Sequence, residues 1–139
     1  MNSLPLRIIP LGGMGEVGRN MMVYEYNREI MIVDTGLMFP ENDMLGIDYI
    51  IPDFSYLKDK KDWVKGIFIT HGHEDHTGAI RHILEEIQAP IYATALTSGL
   101  LENKLIRGGM QDQADIHTIK AGDTVQVGSY FSVETFHVC

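Results

Sequence analysis

The chain has 139 residues, 45% of them hydrophobic and 22% charged, which is typical of one globular domain and excludes wholesale disorder. No apolar run reaches the roughly 18–20 residues that a membrane-spanning helix needs, so no membrane association is expected. Eleven basic against nineteen acidic residues give a net charge of −8, which argues against binding nucleic acid through bulk positive potential. The single cysteine, Cys139, excludes an internal disulfide framework and favours the reducing cytoplasm.

The first half of the chain predicts strands and one long loop. Residues 6–11 form an apolar, β-prone run that ends at two glycines. Residues 21–26 and 30–33 are strand-like and are joined by a short polar link, which predicts a hairpin. Residues 36–53 predict a long ordered loop, and such loops are often functional. Residues 55–64 favour a helix.

The second half alternates between helices and strands before it returns to strands. A short apolar strand, 67–69, leads directly into a polar cluster. Apolar residues at helical spacing predict a helix over 80–87, followed by a strand over 91–95 and a helix over 96–106. Alternating residues from 116 to 137 predict further strands. This order predicts a layered α/β fold with helices outside a pair of sheets.

A glycine motif follows the first predicted strand. Gly13, Gly15 and Gly18 form G-x-G-x-x-G, and Asp34 follows about 20 residues later, as in a dinucleotide site. That site needs a helix after the glycines, because the N-terminal end of the helix binds the pyrophosphate. Here the following residues alternate like a strand. We therefore interpret the motif as a glycine-rich connection between strands and expect no nucleotide cofactor.

A second motif, Asp34-Thr35-Gly36, matches the signature of aspartic proteases. A homodimeric protease of this kind pairs two such carboxylates that share one proton. It is also nearly all β, whereas residues 80–87 have a helical pattern. The motif without its structural context does not support this activity.

The third motif, H-x-H-x-D-H, packs four metal-ligand side chains into six positions: His71, His73, Asp75 and His76. Imidazole and carboxylate ligands together suit Zn²⁺, or Mn²⁺ and Fe²⁺ where oxygen ligands are more numerous. Alternate side chains of an extended backbone point the same way, so the first two histidines can reach one metal. Asp75 and His76 then face a second position, and Gly72 permits the close backbone approach. The motif therefore predicts a metal site.

The remaining histidines lack ligand spacing. His82 lies within a predicted helix, whereas His117 and His137 lie on predicted strands. Histidines in such settings are usually structural. We expect none of them to bind the metal.

These motifs together resemble a known group of proteins. H-x-H-x-D-H after an apolar strand, with Asp34 at the end of an earlier strand, resembles the metallo-β-lactamase superfamily. The superfamily includes lactamases, glyoxalases and lactonases, but longer stretches resemble the bacterial ribonuclease J family of β-CASP nucleases. The resemblance extends over residues 6–139. The stretches that carry it are 11–20, 34–40, 46–48, 51–57 and 70–79.

The resemblance implies a fold, an activity and a cellular setting. The fold is the αββα sandwich of metallo-β-lactamases, of which residues 1–139 would be the N-terminal part, with the β-CASP and C-terminal domains outside this chain. The activity is phosphodiester hydrolysis of RNA, as a 5′-to-3′ exonuclease and an endonuclease. The cofactors would be two divalent metal ions, Zn²⁺ first and Mn²⁺ second. The complete protein would be a cytoplasmic homo-oligomer that holds RNA mainly through the absent domains.

The resemblance also assigns roles to residues. The four motif side chains would divide between the two metals, with His71 and His73 on the first and Asp75 and His76 on the second. The latter two would also count as catalytic. Asp34 would be a carboxylate that orients the ligand loop without binding metal. Glu74 is typical of the family motif but is not a ligand, and a helix beginning near Thr77 would direct its positive end at the site.

The family pattern is incomplete in this chain. The family's next histidine ligand lies just past residues 136–139, and a bridging aspartate and another histidine come later. Two ligands for each metal are fewer than the three or four of a tight site, so we expect weak metal binding and inefficient cleavage by the chain alone. The strand pattern still runs at Cys139, and we expect a longer protein.

Two alternatives remain open. One is a catalytically silent metal-binding or partner-binding module with an exposed sheet edge, which would invite pairing with another chain. The other is a different hydrolase of the metallo-β-lactamase superfamily. The long loop after Asp34 disfavours the second alternative.

Overall fold

The structure is a computed structural model that describes residues 3–138. Cys139, on which the expectation of a reducing compartment rests, lies outside the described residues. The described chain forms a six-stranded sheet in the order β1-β2-β3-β4-β5-β6 and a separate hairpin of β7 and β8. The strands are β1 (Arg7–Gly12), β2 (Met21–Tyr26), β3 (Glu29–Val33), β4 (Val64–Phe68), β5 (Ile91–Thr94), β6 (Ile116–Ile119), β7 (Thr124–Val127) and β8 (Phe131–Glu134).

The first three strands of the sheet are antiparallel, and β3 to β6 are parallel. The turn between β2 and β3 consists of Asn27 and Arg28, whose φ angles of 47° and 63° are those of a two-residue hairpin turn. Parallel strands need crossover connections. The long loop forms the crossover between β3 and β4, and the helices form the two that follow. The helices are α1 (Glu74–Thr77), α2 (Ile80–Glu86) and α3 (Ala95–Arg107).

The core lies between one face of the sheet and the helices. Alternate residues of the strands face it, and so does the apolar side of α2. Burial of each such side chain contributes about 1.5–3 kcal/mol relative to exposure. The largest fully buried side chains are Met21, Ile30, Ile32, Leu57, Ile67, Ile80, Ile83, Leu84, Ile87, Ile91, Leu101 and Leu105.

The β7–β8 hairpin lies against the opposite face of the sheet. Gly66 of β4 leaves room for it, because a Cβ at this glycine would lie 2.9 Å from Val127. At the tip of the hairpin, the ring of Tyr130 packs edge-on against that of Tyr26, with their centroids 5.1 Å apart. The hairpin therefore forms a second β layer over part of the sheet.

The loop between β3 and β4 is long but held at its base. Met38 and Ile50 exchange two backbone hydrogen bonds, of 2.8 and 2.7 Å. Two 3₁₀ turns, Ser55–Leu57 and Lys61–Trp63, then lead into β4. This arrangement confirms the prediction of an ordered loop over 36–53.

The layered α/β fold and most predicted elements are confirmed, with two corrections. The predicted helix over 55–64 is wrong, because the Asp53 carboxylate accepts hydrogen bonds from both the backbone N–H and the hydroxyl of Ser55 and starts a tight turn. The last strand ends at Glu134, short of the predicted Thr135 and His137. There the Thr135 hydroxyl donates to the carbonyl of Lys120, which binds it to the preceding turn.

Within residues 3–138, no helix combines the length and the apolar character needed to cross a membrane.

Candidate metal centre

The candidate centre lies where two neighbouring parallel strands end. β3 ends at Val33 and β4 at Phe68, and these two residues are register partners. The backbone N–H of Asp34 donates to the carbonyl of Phe68 at 2.7 Å. Because parallel strands end at the same edge of a sheet, Asp34 is brought beside Thr70 and the histidine motif that follows.

Asp34 accepts hydrogen bonds on both of its carboxylate oxygens. Its backbone has a φ of 65°, in the left-handed region that aspartate tolerates better than most residues. Oδ1 accepts from the Thr70 backbone N–H at 2.8 Å, and Oδ2 lies 2.6 Å from Nδ1 of His76. The Thr70 hydroxyl lies 2.9 Å from Oδ2. Both oxygens of the buried carboxylate therefore have hydrogen-bond partners within the protein.

These contacts fix the tautomers of two histidines. A carboxylate only accepts, so His76 donates from Nδ1 and keeps the lone pair of Nε2. The Thr70 hydroxyl donates its one proton to Asp34 and therefore accepts from Nδ1 of His71, which is 3.0 Å away. His71 then also presents a free Nε2. Asp34 orients His76 directly and His71 through Thr70.

Three of the four predicted ligands converge. One ligand atom from each of His71, Asp75 and His76 lies within 4.8 Å of the others. The rings of His71 and His76 are 4.0 Å apart between centroids. Two imidazoles and one carboxylate are a suitable partial donor set for a divalent transition metal such as Zn²⁺ or Mn²⁺.

His73 lies beside this group but is not one of the three. Its ring packs edge-on against His71, with the centroids 4.7 Å apart, and its side chain is exposed. The predicted division into two pairs of ligands, one for each metal, therefore remains a prediction. Within the described chain, the convergent group contains His71 from the pair predicted for the first metal, and both Asp75 and His76, which were predicted for the second.

The His71 imidazole is adapted to the neutral state. Burial, and after it repulsion from His76 and His73, lower the pKa of His71 below its usual value. A neutral imidazole offers the lone pair that a metal requires.

The ligand loop, residues 71–76, is held by backbone hydrogen bonds from two other segments. One directly follows the glycine motif, and the other begins with Asp34-Thr35-Gly36. The consecutive carbonyls of the ligand loop at 74, 75 and 76 accept from the backbone N–H groups of Leu37, Asn20 and Thr35, at 3.0, 3.1 and 2.8 Å. The Asn20 side chain adds a second donor to the carbonyl of Asp75, at 3.0 Å. Gly36 is required here, because a Cβ would overlap that same carbonyl oxygen.

Both early motifs thereby find a structural explanation. Gly18 is followed by β2 and not by a helix, which confirms the interpretation of the glycines as a connection between strands. Asp34-Thr35-Gly36 forms the platform for the ligand loop, and its carboxylate is bonded to His76. Sequence reasoning missed Thr70 and Asn20. Both lie in stretches that resemble the family, 11–20 and 70–79, but nothing local indicates their roles because each bonds a residue far away in the chain.

The helix at the motif begins earlier than expected. α1 starts at Glu74, and Thr77 is its last residue, where the Thr77 hydroxyl donates to the carbonyl of His73. The helical ladder breaks because the N–H of Ala79 donates to the Thr35 carbonyl, at 2.8 Å. α2 then begins at Ile80.

The other histidines are not among the three convergent residues, although His137 lines the same cavity as His71. His82 Nε2 is 3.0 Å from the Tyr49 hydroxyl. His117 pairs with Asp115 at 2.9 Å and stacks on Tyr92. His137 is exposed near the end of the described chain.

Cavities lie on two sides of the centre. One, of about 590 Å³, has a largely apolar wall that includes Val17 and Phe39 and reaches His73 and Asp75. The other, of about 780 Å³, extends from His71 past the end of β8. Both are large enough for a substrate of small-molecule size next to the ligand atoms.

Comparison with known proteins identifies the family. The family model described as the metallo-beta-lactamase superfamily matches residues 14–129. This chain belongs to that superfamily. The superfamily domain accounts for the mixed α/β fold with a central sheet, and the fold recurs in zinc-bound PqqB from Methylobacterium extorquens. The two structures match with a TM-score of 0.65 at 13% sequence identity. The match covers 94% of this chain and 55% of the PqqB chain.

Within the superfamily, the chain is homologous to ribonucleases J. It is 42% identical to ribonuclease J of Synechocystis over 93% of this chain, and 45% identical to ribonuclease J2 of Bacillus subtilis over 89%. These matches confirm the resemblance. The chain spans only 20% and 22% of the lengths of these two relatives.

Proposed function

We propose that this chain is part of a metal-dependent ribonuclease that hydrolyses phosphodiester bonds of RNA. The observation that carries the proposal is 42–45% identity to ribonucleases J over about nine tenths of the chain. The convergence of two imidazoles and a carboxylate at one point supports it. Because the chain spans about a fifth of these relatives, the activity is assigned to the complete polypeptide. Within it, residues 1–139 form the N-terminal part of the metallo-β-lactamase domain.

The proposed ligands are those of the histidine motif: His71, His73, Asp75 and His76. Zn²⁺ is the first choice and Mn²⁺ the second, because the donor set mixes nitrogen and oxygen. The described residues fit such an ion, since two imidazoles and one carboxylate already converge. We expect further ligands from sequence outside this chain. When bound, two divalent ions would activate water and neutralise charge on the attacked phosphate.

The protein groups have their own tasks in this mechanism. The Asp34 carboxylate retains the proton on Nδ1 of His76, so that the opposite nitrogen stays available. The backbone donors at 20, 35 and 37 hold the ligand loop against the platform. Asp75 and His76 are proposed as the residues that are both ligands and catalytic. This rigid support holds the reacting groups in place before the substrate arrives.

The finer properties are also proposals. We assign both 5′-to-3′ exonuclease and endonuclease cleavage to the complete protein, with RNA bound mainly through domains outside this chain. We assign it to the cytoplasm, and we expect it to form homo-oligomers. The net charge of −8 supports the view that most of the RNA-binding surface lies elsewhere.

The test is metal analysis together with cleavage of 5′-monophosphorylated RNA by the complete polypeptide that contains this chain. The double variant His71→Ala, His73→Ala should lose bound metal and cleavage. His117→Ala is the matched control, because its ring stacks on Tyr92 outside the convergent group and should leave both unchanged. Equal metal content in the double variant contradicts the ligand assignment.

Two other outcomes would replace the proposed activity. Turnover of lactones or thioesters without RNA cleavage would assign the protein to another hydrolase class of the superfamily. Metal binding with no hydrolysis of any of these substrates would indicate a catalytically silent module.

A further inference from the structure

A basic pocket adjoins the apolar cavity of about 590 Å³ that reaches His73 and Asp75. It encloses about 220 Å³ between α2, the end of α3 and the long loop. Arg81, Lys104 and Arg107 line it, against a single carboxylate, that of Glu74. Three of the eleven basic residues of an acidic chain thus meet at one small cavity.

Two of these cations make no ion pair with a carboxylate inside the described range. Lys104 is bonded to Glu74. Arg81 and Arg107 are exposed, and neither has a partner among residues 3–138. The aliphatic part of Arg81 lies over Gly108, where a Cβ would come within 2.7 Å of it. The glycine therefore lets this side chain lie along the pocket wall.

Helix stability does not explain the cluster. Cations in the last turn of a helix are favourable, which accounts for Lys104 and Arg107 at the end of α3. Arg81, however, lies in the first turn of α2, where the helix dipole disfavours a positive charge. Its position is more consistent with binding an anion than with stabilising its own helix.

The pocket also borders the metal centre. Leu37 and Glu74 line both this pocket and the apolar cavity, so they form the ridge between the two. Glu74 directly precedes Asp75, one of the convergent ligands. A flexible polyanion bound at the metal centre can therefore cross this ridge and place another phosphate among the cations.

We propose that the pocket binds a phosphate of the RNA backbone other than the one that is cleaved. This proposal rests on the proposed function for its substrate class. Guanidinium groups bind phosphate through paired hydrogen bonds, which suits Arg81 and Arg107. Contacts of this type fix the position of a strand without reading its sequence.

The test measures RNA binding separately from cleavage. Binding of a fluorescent single-stranded RNA to the complete polypeptide is followed by anisotropy at several salt concentrations, with a chelator present to prevent hydrolysis. In Arg81→Gln, Arg107→Gln, the slope of log affinity against log salt should fall by about 0.7, the increment for one phosphate contact. The affinity itself should fall about tenfold. Arg81→Lys, Arg107→Lys should retain most of the slope.

The charge-matched control is Lys58→Gln, Lys61→Gln, which removes two exposed cations that do not line the pocket. It should leave slope and affinity close to those of the unchanged protein. An unchanged slope in the Arg81→Gln, Arg107→Gln variant overturns the proposal, and so does a lack of salt-dependent binding by the unchanged protein. Binding of inorganic phosphate at the pocket without any effect on RNA affinity would assign it to a free anion and also overturn it.

Cleavage assays with metal distinguish the two proposals. If the salt slope falls as expected but no RNA is cleaved, the phosphate site is supported and the proposed activity fails. If RNA is cleaved but the salt slope is unchanged, the proposed activity is supported and the phosphate site fails.

Discussion

Oδ2 of Asp34 lies 2.6 Å from Nδ1 of His76, although the two residues are 42 positions apart. The same carboxylate accepts from the backbone and hydroxyl of Thr70, which in turn contacts His71. One buried acid at the end of β3 thus sets the proton positions of two imidazoles, that of His71 after β4 and that of His76 in α1. Metal affinity should therefore depend on Asp34 even though it is not one of the convergent ligands.

Asp34→Asn should preserve the fold but weaken metal binding. The amide can still accept from the Thr70 N–H, but its NH₂ group would donate to Nδ1 of His76 and move the imidazole proton to Nε2. Loss of such a supporting carboxylate typically costs about 10- to 100-fold in metal affinity. Titration with Zn²⁺ against a competing chelator measures the metal affinity of the variant. Asp59→Asn, at an exposed site, is the control, and equal affinities in the two variants would refute the orienting role.

Thr70→Val should weaken metal binding in a similar way. Valine has the same shape but cannot donate to Asp34 or accept from His71, so that ring loses its fixed orientation. We expect about a 10-fold loss of metal affinity and a loss of about 1 kcal/mol in the free energy of unfolding. Thr70→Ser retains the hydroxyl and should restore both. If serine and valine behave alike, the hydroxyl has no such role.

The features that local pattern determines were predicted correctly. Helix α2 follows from the spacing of its buried residues, and the β2–β3 hairpin follows from two alternating runs with a polar link. The histidine motif places its ligands within six positions, so short chain geometry brings them close whatever the rest of the fold does. Such features can be predicted because the spacing of neighbouring residues in the sequence alone determines their local geometry.

The features that depend on distant partners were not predictable. Asn20 reaches Asp75 across 55 positions, and Thr70 reaches Asp34 across 36. Nothing in the local pattern of either residue indicates its partner, because the parallel pairing of β3 and β4 creates the contact. The predicted helix over 55–64 failed for a local reason, because an Asp53 turn competed with weak helical propensity.

Gly36→Ala should disrupt the platform under the ligand loop. A Cβ at this position would overlap the carbonyl oxygen of Asp75, a backbone atom that cannot rotate away. We expect a loss of about 3 kcal/mol or more in unfolding free energy, at the upper end of overpacking effects. Urea denaturation measures it. Gly99→Ala is the control: this glycine lies within α3 with open space around it, and alanine should add about 0.5–1 kcal/mol there. Equal midpoints for the two variants would contradict the steric argument.

Thr35→Val should stabilise the protein. The Thr35 side chain is fully buried, and its hydroxyl oxygen is the one buried side-chain polar atom in residues 3–138 without a hydrogen-bond partner. Valine keeps the shape and removes that unsatisfied group, so the free energy of unfolding should rise by about 1 kcal/mol. The backbone N–H and carbonyl of residue 35, which hold His76 and Ala79, are unaffected by the change.

The same substitution at Thr77 provides the contrast. Thr77 is also buried, but its hydroxyl donates to the carbonyl of His73 at 3.1 Å. Thr77→Val should therefore lower the free energy of unfolding by about 1 kcal/mol. Urea midpoints of both variants, compared with the unchanged protein, give the two signs. If Thr35→Val is as destabilising as Thr77→Val, the Thr35 hydroxyl makes a stabilising interaction. The claim that this buried hydroxyl is unsatisfied would then be wrong.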